Sequence, residues 1–163
     1  MVSNSSALIY LSKLGKLELL QKLFKEIIIP REVFNEIVER GKKEKIADAL
    51  VVEDAINQGW LKIINCKVDE RLLKFAPELD LGEVEVISLA REIKADLVII
   101  DDASARRISE SFGFNTKGTI YVLLKAFKKG LITQDEIKTL LDKLVFAGFR
   151  LSPEVYLKVL REL

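Results

Sequence analysis

Histidine is absent from the 163 residues, and cysteine, methionine and tryptophan occur once each. Without an imidazole there is no His–Ser or His–Cys nucleophilic pair, no haem held by histidine and no His-ligated zinc. The lone thiol, Cys66, excludes an internal disulfide. It is expected to be a small buried hydrophobe. The three prolines and eight glycines sit singly, so no flexible linker divides the chain. No apolar run reaches the length of a membrane span. The opening Met1-Val2-Ser3-Asn4 lacks the basic stretch of a signal peptide. Both features point to a cytoplasmic protein. Neither sign of charge dominates, with 26 Lys and Arg against 25 Asp and Glu. Any nucleic-acid contact must therefore come from a local cluster of cations.

What is present describes one globular domain spanning residues 1–163. The hydrophobic content is 49%, enough to bury a sizeable core. Abundant lysine and glutamate with little glutamine fit a thermophile. The opening residues read as a short strand running into a serine-rich turn. Leucines at 8, 11, 14, 17, 20 and 23 follow at helical spacing. Ile27–Ile29 form a short apolar strand, and Pro30 suits the first position of a helix that runs to Arg40 and stops at Gly41. A second helix spans 45–58 and a strand spans 61–64. After a polar stretch, a strongly periodic helix runs from about 81 to 94. Leu97–Ile100 is a buried strand, and 103–112 a helix. A brief strand spans 114–116 and another helix 118–129. Helices from about residue 133 pack on this unit; Thr133 and Glu136 form one capping box, and Ser152-Pro153-Glu154 opens the last helix. Strands alternating with helices imply a three-layer α/β/α sandwich with a central, mostly parallel sheet of four to five strands. Ligands in such sheets sit at the carboxyl ends of strands.

The acidic residues are read against that rule. Asp101 and Asp102 follow the most apolar strand, where each suits either a helix N-cap or a ligand crevice. On a helical wheel Glu83 falls with Val86, Ile87, Ala90 and Ile93, while Glu85 and Glu92 fall on the solvent side. A carboxylate on an apolar stripe is costly unless paired or metal-bound. The plainer reading is a capping box with Asp80. Glu36 lies at the edge of the stripe formed by Val33, Phe34 and Ile37, and Arg40, one turn on, suits a surface ion pair with it. Asn4 suits an N-cap, as do Ser5 and Ser6.

Taken together, these residues resemble the PIN-domain family, in the archaeal and bacterial branch related to toxin ribonucleases. The resemblance rests on Val2–Ile9, on Ile29–Glu36, on Leu81–Ala90 and on Asp96–Asp102, with Gly118-Thr119 and Ala147–Ser152 in support. It implies a metal-dependent ribonuclease using Mg²⁺ or Mn²⁺, with RNA as substrate. It also implies a toxin restrained by a small antitoxin-like protein, and a homodimer. Carried over by position, the pocket holds Asn4, Glu36, Glu83 and Asp101 beside Asp102, with Ser6 in support. Asp101 would be the central metal ligand. Position 4 is usually Asp in the family, so this chain has one charge fewer there. The alternative is a catalytically weakened domain that binds RNA or protein. A phosphoryl-accepting receiver module is disfavoured, because its acidic pair follows the first strand and here the pair comes late. Three carboxylates within about 5 Å repel by roughly 3 kcal/mol per pair. Only a proton or a divalent cation stabilises such a cluster, and an all-oxygen site suits a hard cation. The cations expected to hold RNA phosphates are Arg106, Arg107 and Lys117, with Arg40, Lys42, Lys43 and Lys45 on the other side.

Overall fold

A computed structural model describes residues 1–163. Strand β1 (Val2–Ser3) leads into α1 (Ser5–Lys13), and α2 (Glu18–Leu23) into β2 (Ile27–Pro30). The leucine stretch is two helices, because the chain turns at Gly15, whose φ of 62° suits glycine well. Its leucines still share one buried face. Pro30 is extended (ψ 167°) and ends β2, so the next helix starts one residue later than expected.

That helix opens as α3 (Arg31–Phe34), widens into a π turn (Asn35–Arg40) and continues through Gly41 as α4 (Gly41–Lys43). Gly41 does not stop it. The residue is buried under α5 (Ala47–Asn57), and a Cβ there would lie 2.9 Å from that of Ala49. Glycine here serves close helix packing rather than termination. Strand β3 (Leu61–Ile64) matches its expected bounds. The polar stretch that follows contains an unanticipated short helix, α6 (Glu70–Phe75). Asp69 caps it by accepting the Arg71 amide (3.1 Å), and it buries only Leu72, so it leaves no periodic apolar trace.

Helix α7 (Leu81–Glu92), β4 (Val98–Ile99), α8 (Ala103–Ser111), β5 (Thr116–Lys117) and α9 (Thr119–Lys128) complete the alternating pattern. Helices α10 (Gln134–Phe146) and α11 (Pro153–Glu162) close the chain, both with the expected caps. The five strands form one all-parallel sheet in the order β3-β2-β1-β4-β5. Helices cover both faces, as the continuous apolar strands require. Ile27, Ile29, Val98, Ile99 and Ile100 lie at the centre of a single core with Leu8, Leu11, Ile87 and Leu89. No helix is long and apolar enough to cross a membrane.

Candidate active site

The chain runs outward from β1 to β3, then returns to place β4 on the other side of β1. Such a switch point opens a crevice at the carboxyl ends of the strands. Asn4 follows β1, Asp101 and Asp102 follow β4, and Lys117 ends β5. Glu36 lies on the helix after β2. Glu83 lies in the first turn of α7, which begins at the carboxyl edge because a crossover helix runs back along the sheet.

Glu36 and Glu83 are brought together. The Glu36 carboxylate rests on Gly82, where a Cβ would stand 2.8 Å from Oε1 and 3.2 Å from Oε2. Burial pushes the Glu36 carboxyl above its ordinary range, the nearby Ser5 hydroxyl opposes this, and the charges of Asp80 and Glu32 reinforce it. Glu83 is pushed up to about 7. Burial is the largest cause, and the charges of Asp80, Asp102 and Glu36 add to it, while its bond to the Asp80 amide opposes them. Both readings of Glu83 hold at once. Its Oε2 accepts the Asp80 amide (3.1 Å) and its amide donates to Asp80 (2.8 Å), a complete capping box beside an acidic neighbourhood. Asp102 is likewise both cap and neighbour. One oxygen accepts the amides of Ser104 and Ala105, at 2.8 and 2.9 Å, and its charge reaches Glu83.

Asp101 turns the other way. Its two oxygens accept the Thr119 amide (2.7 Å) and hydroxyl (2.6 Å). A Cβ on Gly118 would lie 2.6 Å from both Asp101 Oδ1 and Arg106 Nη2, so only glycine leaves room for both groups. Burial raises the Asp101 carboxyl, and the Thr119 bonds and the Arg106 charge pull it down. Arg106 donates to the Ile100 carbonyl at 3.0 and 3.3 Å. Asn4 is buried, and its side-chain oxygen caps α1 by accepting the Ala7 amide (3.2 Å). Ser6 is half-buried in the same turn, but it is the Ser5 hydroxyl that acts on Glu36.

The expected ion pair of Arg40 with Glu36 does not form. The π turn carries Arg40 over Glu32 instead, at 2.6 Å. Glu85 is half-buried rather than solvent-facing, and its Oε2 accepts the Glu32 amide (2.9 Å) at the start of α3. Cys66 is half-buried beside Glu85, and burial pushes its thiol up to about 11, an inert sulfur. Lys43 and Arg107 are exposed, while Lys42 pairs with Glu53. Thr119, Gly118, Gly82 and Asp80 were not foreseen as parts of the site, although Gly82 was visible as an isolated glycine beside Glu83.

A family model described as a PIN domain matches residues 1–163. The chain belongs to the PIN-domain family. PIN domains are generally nucleases and typically use divalent metals. No curated protein and no solved structure matches the chain. In this PIN domain no three acidic groups lie close enough to cage an ion, and both Asp101 oxygens accept from Thr119. A cage is not what a hydrated hard cation needs. Mg²⁺ keeps several waters and takes one or two carboxylates. Glu36 and Glu83 are an all-oxygen pair, half-buried and mutually repelling, and fit such an ion, with the exposed Asp102 nearby.

Proposed function

We propose that this PIN domain is a metal-dependent ribonuclease whose ion is held on the Glu36–Glu83–Asp102 side of the crevice. The observation that carries this reading is Glu83, withdrawn from water among carboxylates and pushed up to about 7. A like-charge pocket of this kind is costly unless a cation or proton enters it. When bound, Mg²⁺ or Mn²⁺ supplies an activated water and neutralises charge at the attacked phosphate. Glu36 and Asp102 orient that ion. Glu83 would share that ion with Glu36, and the cation would hold it ionised. Asp101 fixes the strand end and Arg106 beside it. The same proposal extends to a toxin restrained by a small antitoxin-like protein and to a homodimer, which light scattering would read.

A specific observation favours a second reading. The buried Asn4 oxygen is already taken by the α1 cap and brings no charge. A domain weakened at this position would bind RNA without cutting it. Cleavage of a mixed single-stranded RNA in Mn²⁺ and in EDTA separates the two. Cleavage that needs Mn²⁺ and disappears in Glu36→Gln and Glu83→Gln supports the nuclease. Absence of cleavage in the natural chain, restored by Asn4→Asp, supports the weakened domain. Cleavage untouched by either Gln variant overturns the site.

A further inference from the structure

A sizeable cavity lies beside the acidic pocket. It is a groove of about 720 Å³ on the β5 side, between α8, α9 and the C-terminal segment. Its size falls in the range of about 300–1,000 Å³ that receives a ligand as large as a nucleotide. On a chain almost neutral overall, this groove is strongly basic: seven cationic side chains face three acidic ones. Arg106 and Lys117 stand at its strand end, and three lysines line it from the α9 side. Arg150 and Lys158 close it from the C-terminal segment. Lys128 is the one cation here held in an ion pair, with Glu162. Lys125 is spent on the rings of Phe24 and Tyr121. Lys117, Lys129, Arg150 and Lys158 are exposed with no ion-pair partner, a concentration of free positive charge. Two rings, Tyr121 and Phe149, line the same space.

Free cations beside two half-buried rings, one packed edge-to-face on Tyr10 and one under Lys125, match one chemistry: a phosphodiester backbone whose unpaired bases reach the ring surface left in the groove. A duplex turns its bases inward and offers the rings nothing. The groove also meets the acidic pocket. Asp101 lines it, while Asp102, the next residue, acts on Glu83. We infer that this groove holds a single-stranded RNA segment flanking the bond at the acidic pocket, with phosphates on Lys117, Lys129, Arg150 and Lys158 and bases against Tyr121 and Phe149. The inference rests on the nuclease reading for its direction toward the pocket, but not for the binding itself.

The test is binding of a fluorescein-labelled, mixed-sequence oligoribonucleotide to the full chain, read by anisotropy in EDTA so that metal-dependent cleavage is shut off. The double variant Lys129→Glu with Lys158→Glu changes two exposed residues of the groove. Lys138→Glu with Lys143→Glu makes the same charge change on α10, outside it. The groove pair is expected to weaken binding by at least about tenfold and to lower the salt slope by about 1.4, at about 0.7 per phosphate contact on a single strand. The α10 pair is expected to lose less than about twofold. Equal losses in the two pairs, or none in the groove pair, overturn the inference. So does a duplex that binds as tightly as the strand, or a nucleoside monophosphate that displaces the strand at matching concentration. The two proposals fail separately. A chain that binds RNA through the groove yet cuts nothing in Mn²⁺ keeps this inference and loses the nuclease. A chain that cuts while the groove pair binds unchanged does the reverse.

Discussion

Asp101 and Glu83 are both acidic side chains withdrawn from water at the carboxyl edge of the sheet, and burial lifts both above their ordinary range. Their surroundings differ. Asp101 meets donors: the Thr119 amide and hydroxyl, with Arg106 beyond. Glu83 meets one amide and otherwise carboxylates. The same residue type is thus satisfied on the β5 side and left in want of a cation on the β2 side. A carboxylate buried among donors has its charge answered by the protein itself. One buried among its own kind marks where a ligand of opposite charge belongs.

Replacing Asp101 should expose the difference most sharply. Asp101→Ala strands the Thr119 amide and hydroxyl, and should cost about 3 kcal/mol in urea unfolding. Glu36→Gln should cost little or nothing by the same measurement. Equal losses would break the comparison. The pH dependence comes next. The unfolded chain ionises Glu83 near its ordinary value, the folded chain only near 7. Between those values the unfolded state sheds its proton first, so stability falls as pH rises through that window. Glu83→Gln should remove this loss. It should raise stability above pH 7 by on the order of 1 kcal/mol, since water screens a half-exposed group, and leave it unchanged near pH 4. A gain that does not vary with pH would contradict the assignment. Gly82→Ala should also have a small effect on stability. The new methyl meets the far end of a flexible side chain, Glu36 Oε1 at 2.8 Å, so unfolding should shift by less than about 1 kcal/mol. Mn²⁺-dependent cleavage should fall clearly all the same, because the carboxylate is displaced.

The alternating strands, the helix caps and the acidic positions followed from the sequence because each carries a local signal. Ile27–Ile29 and Leu97–Ile100 are uninterrupted apolar runs, and Thr133 with Glu136 is a capping pair readable at a glance. What escaped was decided by partners distant in sequence. Nothing near Asp101 says that Thr119, eighteen residues on, would take both its oxygens. The π turn that swings Arg40 from Glu36 to Glu32 obeys no periodic rule. Gly41 resembles a helix stop until Ala49 is seen against it. The groove cations Lys129, Arg150 and Lys158 line one space only in the folded chain, where the end of α11 meets α9 through Glu162 and Lys128, and as a sequence they are ordinary surface charges.

The most direct test of the account is a calorimetric titration of Mn²⁺ into the full chain at pH 8, repeated for Glu36→Gln, Glu83→Gln and Asp101→Asn. Binding should be lost in the two glutamate variants and kept in Asp101→Asn, and in the natural chain it should weaken as pH drops below 7. Loss confined to Asp101→Asn, with both glutamate variants binding as the natural chain does, would place the ion on the β5 side and contradict the account.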